Sequence, residues 1–318
     1  MYAVKTILKK ELTDHFSSYR FIFLFSLIAM VSLITAYMVG LNIKQELEGV
    51  AKPRFVFLML FTSSGTLFSL VQFVAFFGPL IGLVLGFDSI NREKNEGTLS
   101  KLLSQPIYRD TIINGKFLAG VVTIAVMMVS IVLVITGLGL SMVGVIPGME
   151  EVWRIIIYLV ISIIYISFWL GVAILFSILF RSVATSALAA LAVWIFFSFF
   201  VTLGAVAVAK TLTPDAERSD PDSIIRRAKI QKAISLSSPM ELYADSTATI
   251  IDPMRKTNRS IIHMGMMEKL SMSRFSGPLP LSQSILVVLP YIISLIAITA
   301  VCFAISYTVF MRQEIRSL

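Results

Sequence analysis

The sequence predicts an all-α integral membrane protein with six transmembrane helices, an N-terminal amphipathic interfacial helix and a short cytoplasmic helix. Two observations predict this class. Of the 318 residues, 57% are hydrophobic and only 14% are charged, whereas soluble domains carry roughly 25% charged residues. In addition, six apolar runs reach the ~20 residues that a helix needs to cross a bilayer. Because a soluble core of this composition would expose wide apolar patches, we expect residues 1–318 to form a single transmembrane domain.

The first element, residues 1–19, is predicted to be an amphipathic helix at the membrane surface. Five apolar residues recur there at helical spacing: Val4, Ile7, Leu8, Leu12 and Phe16. Most of the charged residues fall on other faces, as in helices that lie in the interface. The apolar run that follows is too long for the core of a signal peptide and lacks a small-residue cleavage site. We therefore expect it to remain attached as a signal anchor.

The six predicted spans contain no Asp, Glu, Lys, Arg or His. They are Phe21 to Leu41, Thr66 to Phe87, Phe117 to Val145, Ile155 to Phe180, Ser182 to Ala209 and Ser284 to Phe310. The apolar run from Phe55 to Phe61 is too short to cross and predicts an interfacial segment, with seven spans as the alternative. In the second span, Gly78, Gly82 and Gly86 repeat every four residues, which predicts close packing of another helix.

Basic residues in the short segments predict the orientation of the chain in the membrane. Twelve fall on one side: Lys5, Lys9, Lys10, Arg20, Arg92, Lys94, Lys101, Arg109, Lys116, Arg181, Arg312 and Arg316. Four fall on the other: Lys44, Lys52, Arg54 and Arg154. This imbalance predicts that both termini are cytoplasmic. Long loops do not follow the rule, so we place residues 210–283 outside the cell and expect their short helices to lie on the membrane surface.

Several function classes are disfavoured by the same residues. The net charge of +8 is distributed between apolar runs rather than gathered on one surface, so no nucleic-acid partner is expected. The chain lacks the P-loop motif G-x-x-x-x-G-K-[ST], as well as H-E-x-x-H and G-x-S-x-G, which argues against an enzyme. Spans without ionisable groups also disfavour an ion-coupled transporter, although backbone carbonyls can bind ions. Gln72 is expected to form an interhelical hydrogen bond, with a substrate ligand as the alternative.

A cluster of soft ligands near residue 263 raises the question of a metal site. His263 lies among Met264, Met266 and Met267, and thioether and imidazole groups together suit Cu(I). However, Ile262, Met266 and Leu270 also form an apolar stripe at helical spacing, which needs no metal. We therefore expect packing rather than metal binding, and the lone Cys302 adds no thiolate cage.

The loop between the second and third predicted spans, residues 88–116, combines charge with a short apolar edge. Leu99, Leu102 and Leu103 recur on one side of a short helix, which Pro106 ends. Four charged residues precede that edge and are expected to face water or a partner: Arg92, Glu93, Lys94 and Glu96. A solvated loop with an interfacial helix is the alternative interpretation.

This loop resembles the signature of the type-2 permease family of ATP-binding-cassette transporters. In that family E-x-x-x-G-T-L leads into L-L-S-x-P, an arginine and then G-K-F before the next span. The matching residues are Glu93, Gly97, Thr98, Leu99, Leu102, Leu103, Ser104, Pro106, Arg109, Gly115, Lys116 and Phe117. The closest similarity is to the branch that includes the permease accompanying nitrous-oxide reductase maturation.

The resemblance implies a permease in the cell membrane, in contact with lipids, that dimerises with a like or unlike subunit. It implies a cytoplasmic coupling helix, within Asn91 to Gln105, that touches a separate ATPase subunit carrying ATP and Mg²⁺. No cofactor is then expected in this chain. The implied coupling residues are Arg92, Glu93, Glu96, Gly97, Thr98, Leu99, Leu102, Leu103, Pro106 and Arg109. Glu93 and Glu96 are expected to contact basic groups of the ATPase.

Export is the direction that the resemblance implies. The long segment 210–283 departs from the compact outer loops of many family members, so the substrate stays open. A membrane scaffold or channel subunit without active transport is the first alternative, and an intramembrane enzyme is the second.

Overall fold

The computed structural model describes residues 2–47, 55–62, 69–99, 104, 108–144, 146–213, 221–253 and 278–313. Every regular element in these ranges is a helix. The helices are α1 (Tyr2–Ser17), α2 (Tyr19–Leu47), α3 (Val56–Thr62), α4 (Leu70–Gly86), α5 (Asn91–Asn95), α6 (Arg109–Val143), α7 (Met149–Leu179), α8 (Val183–Ile195), α9 (Val201–Leu212), α10 (Pro221–Ser235), α11 (Pro239–Ile251) and α12 (Leu281–Arg312). A π-helical turn, Phe196–Phe200, joins α8 to α9.

Six helical stretches of the described chain are long and apolar enough to cross a membrane, which confirms the predicted all-α membrane fold. They are Tyr19–Gln45, Leu70–Asn95, Arg109–Met142, Met149–Leu179, Val183–Leu212 and Leu281–Arg312. Several begin earlier than the apolar pattern indicates. The third starts at Arg109 rather than Phe117, because polar residues continue the helix beyond the hydrocarbon. The short apolar run near residue 55 forms α3, which is too short to cross.

Helix α7 lies at the centre of the bundle and packs chiefly against α4 and α12. Its side chains Tyr165 and Trp169 are completely buried. The Tyr165 hydroxyl donates a 2.7 Å hydrogen bond to the carbonyl oxygen of Ala75 on α4. At Gly82 a Cβ atom would lie 2.6 Å from the carbonyl oxygen of Ile166. The two backbones therefore approach more closely there than any larger residue permits.

Helices α10 and α11 form a hairpin that returns into the bundle between the fifth and sixth spans. Helix α10 runs back along α9, and the Ser238 hydroxyl after it donates a 2.8 Å hydrogen bond to the carbonyl oxygen of Phe197. The Tyr243 ring then stacks on Tyr165 with a 4.4 Å centroid separation. Phe197 and Tyr165 lie near the middle of their spans. The turn of the hairpin therefore reaches the mid-level of the bundle.

This position differs from the expected placement of the segment's helices on the membrane surface, because α11 is buried along its whole length. Small side chains such as Ala244 and Ala248 allow close packing. The hydroxyls of Ser246, Thr247 and Thr249 donate hydrogen bonds to backbone carbonyls one turn earlier. Polar groups satisfied within the helix carry little penalty when they are buried, so a helix of moderate polarity can enter the bundle.

Candidate functional site

The loop after the second span is fixed to the C-terminal end of α7. The backbone N–H groups of Ile90 and Asn91 both donate to the Ser177 hydroxyl oxygen, at 2.9 and 3.1 Å. The Asn95 side chain donates to the carbonyl oxygen of Arg181 at 3.1 Å. Helix α5 is therefore held at its start by the end of α7 and at its end by the segment that joins the fourth and fifth spans.

A tight turn follows α5 at the centre of the family-like motif. Gly97 has a φ of +71°, a left-handed conformation that strains residues with a Cβ atom. A Cβ atom there would meet no other atom within 4 Å, so the requirement for glycine comes from the backbone alone. The Thr98 hydroxyl donates to the carbonyl oxygen of Glu93 at 3.2 Å, and Leu99 beyond it is buried. The turn thus reverses the chain and returns an apolar side chain to the core.

Four charged side chains meet beneath this loop, and we call them the inner charge cluster: Lys10, Glu11, Glu93 and Lys116. The Lys116 ammonium lies 3.0 Å from Oε1 of both Glu11 and Glu93. The Lys10 ammonium lies 3.2 Å from the same two oxygens. Because Glu11 belongs to α1, Glu93 to α5 and Lys116 to α6, the cluster joins three separate elements through one closed ring of ion pairs.

The electrostatics of the cluster favour the ionised forms. Burial alone would raise the pKa of Glu11, but the ammonium groups of Lys116 and Lys10 hold that pKa below its usual value. Burial opposes the charge on Lys10 as well, yet Glu11 and Glu93 raise its pKa to about 12. Burial lowers the pKa of the neighbouring His15, which stays neutral near pH 7. The cluster therefore favours the charged forms of Glu11 and Lys10.

A mixed-charge cleft of about 730 Å³ lies beside the cluster, between α1, the start of α2 and the α4–α5 corner. Arg20 of α2 pairs with Asp88 at 2.7 Å, so the first span is also linked to the loop. Arg92 and Glu96, which also line this cleft, pair with each other at 2.9 Å. These pairs are more exposed than the inner charge cluster, so they contribute less to stability.

The structure separates the two glutamates that were expected to face a partner. The Glu93 side chain is only 13% exposed and points at lysines of its own chain, whereas Glu96 is 52% exposed. Arg109 begins α6 and donates a 3.0 Å hydrogen bond to the carbonyl oxygen of Gln313. Leu102, Leu103 and Pro106 lie outside the described residues.

Sequence reasoning missed Glu11 and Lys116 as members of one site. In the sequence, Lys116 belongs to the G-K-F motif, and no motif includes Glu11. A signal did exist, because Glu11 lies one turn after Ile7 and one turn before His15, on the face of α1 that packs against α6. An acidic residue inside such a face needs a buried cation as its partner.

A second buried ionic group lies at the opposite end of the bundle. Arg154, interpreted from the sequence as a loop cation, is fully buried. Its guanidinium donates to Glu150 at 2.9 Å and to the carbonyl oxygens of Ile250 and Leu279, both at 2.7 Å. It therefore clamps the end of α11 and the start of the last span to α7.

The described residues contain no group of three or more His, Cys, Asp or Glu side chains that could hold a metal ion. The cluster of His263 and neighbouring methionines lies outside them. The inner charge cluster and the loop above it form one network of ion pairs and hydrogen bonds. What it can do is transmit force, since it links a surface loop rigidly to α1, α2, α6 and α7.

Comparison with known proteins finds a matching family. The family described as ABC-2 family transporter protein matches residues 5–315, which is nearly the whole chain. No curated protein matches the sequence.

Proposed function

Because the chain belongs to the ABC-2 transporter family, we propose that it is the permease of an exporter driven by a separate cytoplasmic ATPase. Membership in the family makes it the multi-pass membrane subunit of an ABC transporter. The proposal adds an ATPase partner that binds ATP and Mg²⁺, pairing of two permease subunits, and cytoplasmic termini in the cell membrane. Export, as well as the similarity to the nitrous-oxide-reductase branch, rests on the sequence resemblance.

One observation carries the coupling part of the proposal. The inner charge cluster joins Glu93 of the cytoplasmic loop to α1 through Glu11 and to α6 through Lys116. Buried ion pairs of this kind hold their geometry, because separating them leaves uncompensated charge in a poorly solvated place. A displacement of the loop would therefore move α1 and α6 with it rather than being absorbed locally.

The ATPase would engage the exposed side chains of the loop, Arg92 and Glu96, which are 59% and 52% exposed and line the mixed-charge cleft. Glu93 then has a different role from the direct contact that the sequence indicated. It would pass motion inward, and Glu96 would meet a basic group of the ATPase. Closure of two ATPase subunits around ATP would displace the loop of each permease subunit. The inner charge cluster would transmit that displacement to the spans.

The test substitutes two loop residues, Glu96 and Gly97, to which the proposal gives different roles. Glu96→Lys would place like charges together at a partly desolvated interface, where the penalty reaches several kcal/mol. Gly97→Val would force a β-branched residue into the left-handed turn. The measurements are copurification of the P-loop ATPase with the tagged permease, and the ATPase rate of the assembled complex. We expect normal permease expression with loss of assembly or coupling in both variants.

Lys9→Glu is the matched control, because Lys9 is exposed on the same cytoplasmic side but belongs to α1. It should leave assembly and ATPase rate near the wild-type values. Wild-type behaviour of both loop variants would remove the loop as the coupling element. Failure of any P-loop ATPase to copurify with the wild-type chain would favour a scaffold or channel subunit instead.

A further inference from the structure

Helix α10 carries basic residues on its exposed side. Arg226, Lys229 and Ala233 are spaced three and four residues apart, so they share one face, and all three are exposed. We call this the outer cationic face. Lys232, on the flank of the helix, forms an ion pair with Asp245 of α11. Within the described chain, neither Arg226 nor Lys229 forms an ion pair.

The position of α10 places this face inside the membrane. The helix packs along α9, and Ser238 just beyond its end bonds to Phe197 near the middle of the fifth span. At a rise of 1.5 Å per residue, Lys229 lies at most ~14 Å and Arg226 at most ~18 Å from the level of Ser238. The hydrocarbon extends ~15 Å from its centre. Ala233 and Lys229 therefore lie within the hydrocarbon depth of the outer leaflet, and Arg226 lies at its edge.

Exposed cations at that depth are costly against lipid and in membrane proteins face water or a protein partner. Among the described elements, α10 packs chiefly against α9, so its free side lies at the edge of the subunit. A second copy placed there would bring an equivalent basic face opposite the first. Two like-charged faces repel, so the space between them would hold water and attract anions.

We propose that α10 lines a water-filled, cationic vestibule in the outer half of the permease dimer, which receives an anionic group of the exported substrate. The substrate assignment rests on the proposed export function. The vestibule rests on the placement and charge of α10, together with the proposed pairing of two permease subunits and the proposed orientation. The positive charge of the vestibule would attract a carboxylate or phosphate group on a substrate that leaves towards the outside.

The test measures the chemical accessibility of Ala233→Cys in a Cys302→Ala background, in purified protein reconstituted into liposomes. Ala233 is chosen because it is the deepest residue of the outer cationic face. The reagents are anionic sulfonatoethyl methanethiosulfonate and its cationic trimethylammonium counterpart. We expect the ratio of anionic to cationic reaction rates to exceed that of free cysteine by about tenfold, as for other charged clefts. Neutralising Arg226 and Lys229 to Gln should return the ratio towards that of the free thiol.

Leu203→Cys on α9 is the control for a lipid-facing position, because Leu203 is 65% exposed and has no charged neighbour in the chain sequence. It should react with neither reagent. Failure of both reagents at residue 233 would overturn the vestibule, since the face would then be sealed or lipid-covered. Reaction without a charge preference would overturn the anion site. Because labelling needs neither ATPase nor transport, these outcomes are separate from failure of the proposed function.

Discussion

At the scale of single residues, Lys116 provides a test of the inner charge cluster. Replacing it with Met leaves two buried carboxylates with Lys10 as their remaining cation, and loss of one member of a buried pair costs about 3 kcal/mol. We expect a lower thermal midpoint in detergent and a weaker ATPase response to assembly. The triple change Glu11→Gln, Glu93→Gln, Lys116→Met removes every uncompensated charge that the single change creates. It should recover stability but not coupling, and equal stability of the single and triple variants would contradict the ion-pair account.

His15 makes the docking of α1 sensitive to pH. Its pKa is lowered by burial, so the folded protein binds fewer protons at this site than the unfolded chain. Stability is therefore retained above the ordinary histidine value of about 6.5 and falls as the pH drops below it. Thermal midpoints measured between pH 5 and 8 should show this fall. The slope should flatten in His15→Gln, and an unchanged slope in that variant would assign the pH dependence to other groups.

At the scale of helices, the glycine repeat of α4 can be tested against a glycine in open space. Gly82→Ala would bring a Cβ atom within 2.6 Å of the Ile166 carbonyl oxygen, and overpacking of this kind costs about 1–3 kcal/mol. Gly137→Ala on α6 meets nothing within 4 Å and removes helix-disfavouring glycine. We expect a lower thermal midpoint for the first variant and an equal or higher one for the second. Identical shifts of the thermal midpoint in the two variants would mean that the close approach of α4 and α7 does not restrict the size of residue 82.

The helices also mark how far the sequence could predict this fold. The spans were predictable because each is a long run of apolar residues without a charged one. This pattern does not depend on which other helices pack beside the span. The burial of α11 was not predictable, since Glu241 and Asp245 make it look like a surface helix. Its environment comes from contacts with Tyr165 and α12 that are distant in sequence. For the same reason, the loop motif around Gly97 was predictable, but the pairing of Glu93 with Glu11 through Lys116 was not.

At the scale of the whole molecule, the orientation of the bundle is the prediction with the widest reach. The basic-residue count predicts cytoplasmic termini and an external segment at residues 210–283. In a Cys302→Ala background, an impermeant thiol reagent added to intact cells should label Ser219→Cys but not Ser317→Cys. Permeabilised cells should label both, which controls for reactivity. Labelling of Ser317→Cys but not Ser219→Cys in intact cells would show that the topology is inverted. The proposed coupling loop would then lie on the external side, away from the ATPase.

The Arg154 clamp has a consequence for the order in which the chain is assembled during synthesis. Its acceptors include the carbonyl oxygens of Ile250 and Leu279, which leave the ribosome long after α7 has been inserted. Until α12 arrives, α11 lacks one of its main packing partners, and the bond from Arg154 to Leu279 at the start of the last span cannot form. The hairpin therefore gains its full set of contacts only after the last span is in place. Quality-control proteases acting on a stalled nascent chain would meet this hairpin in an incompletely packed form.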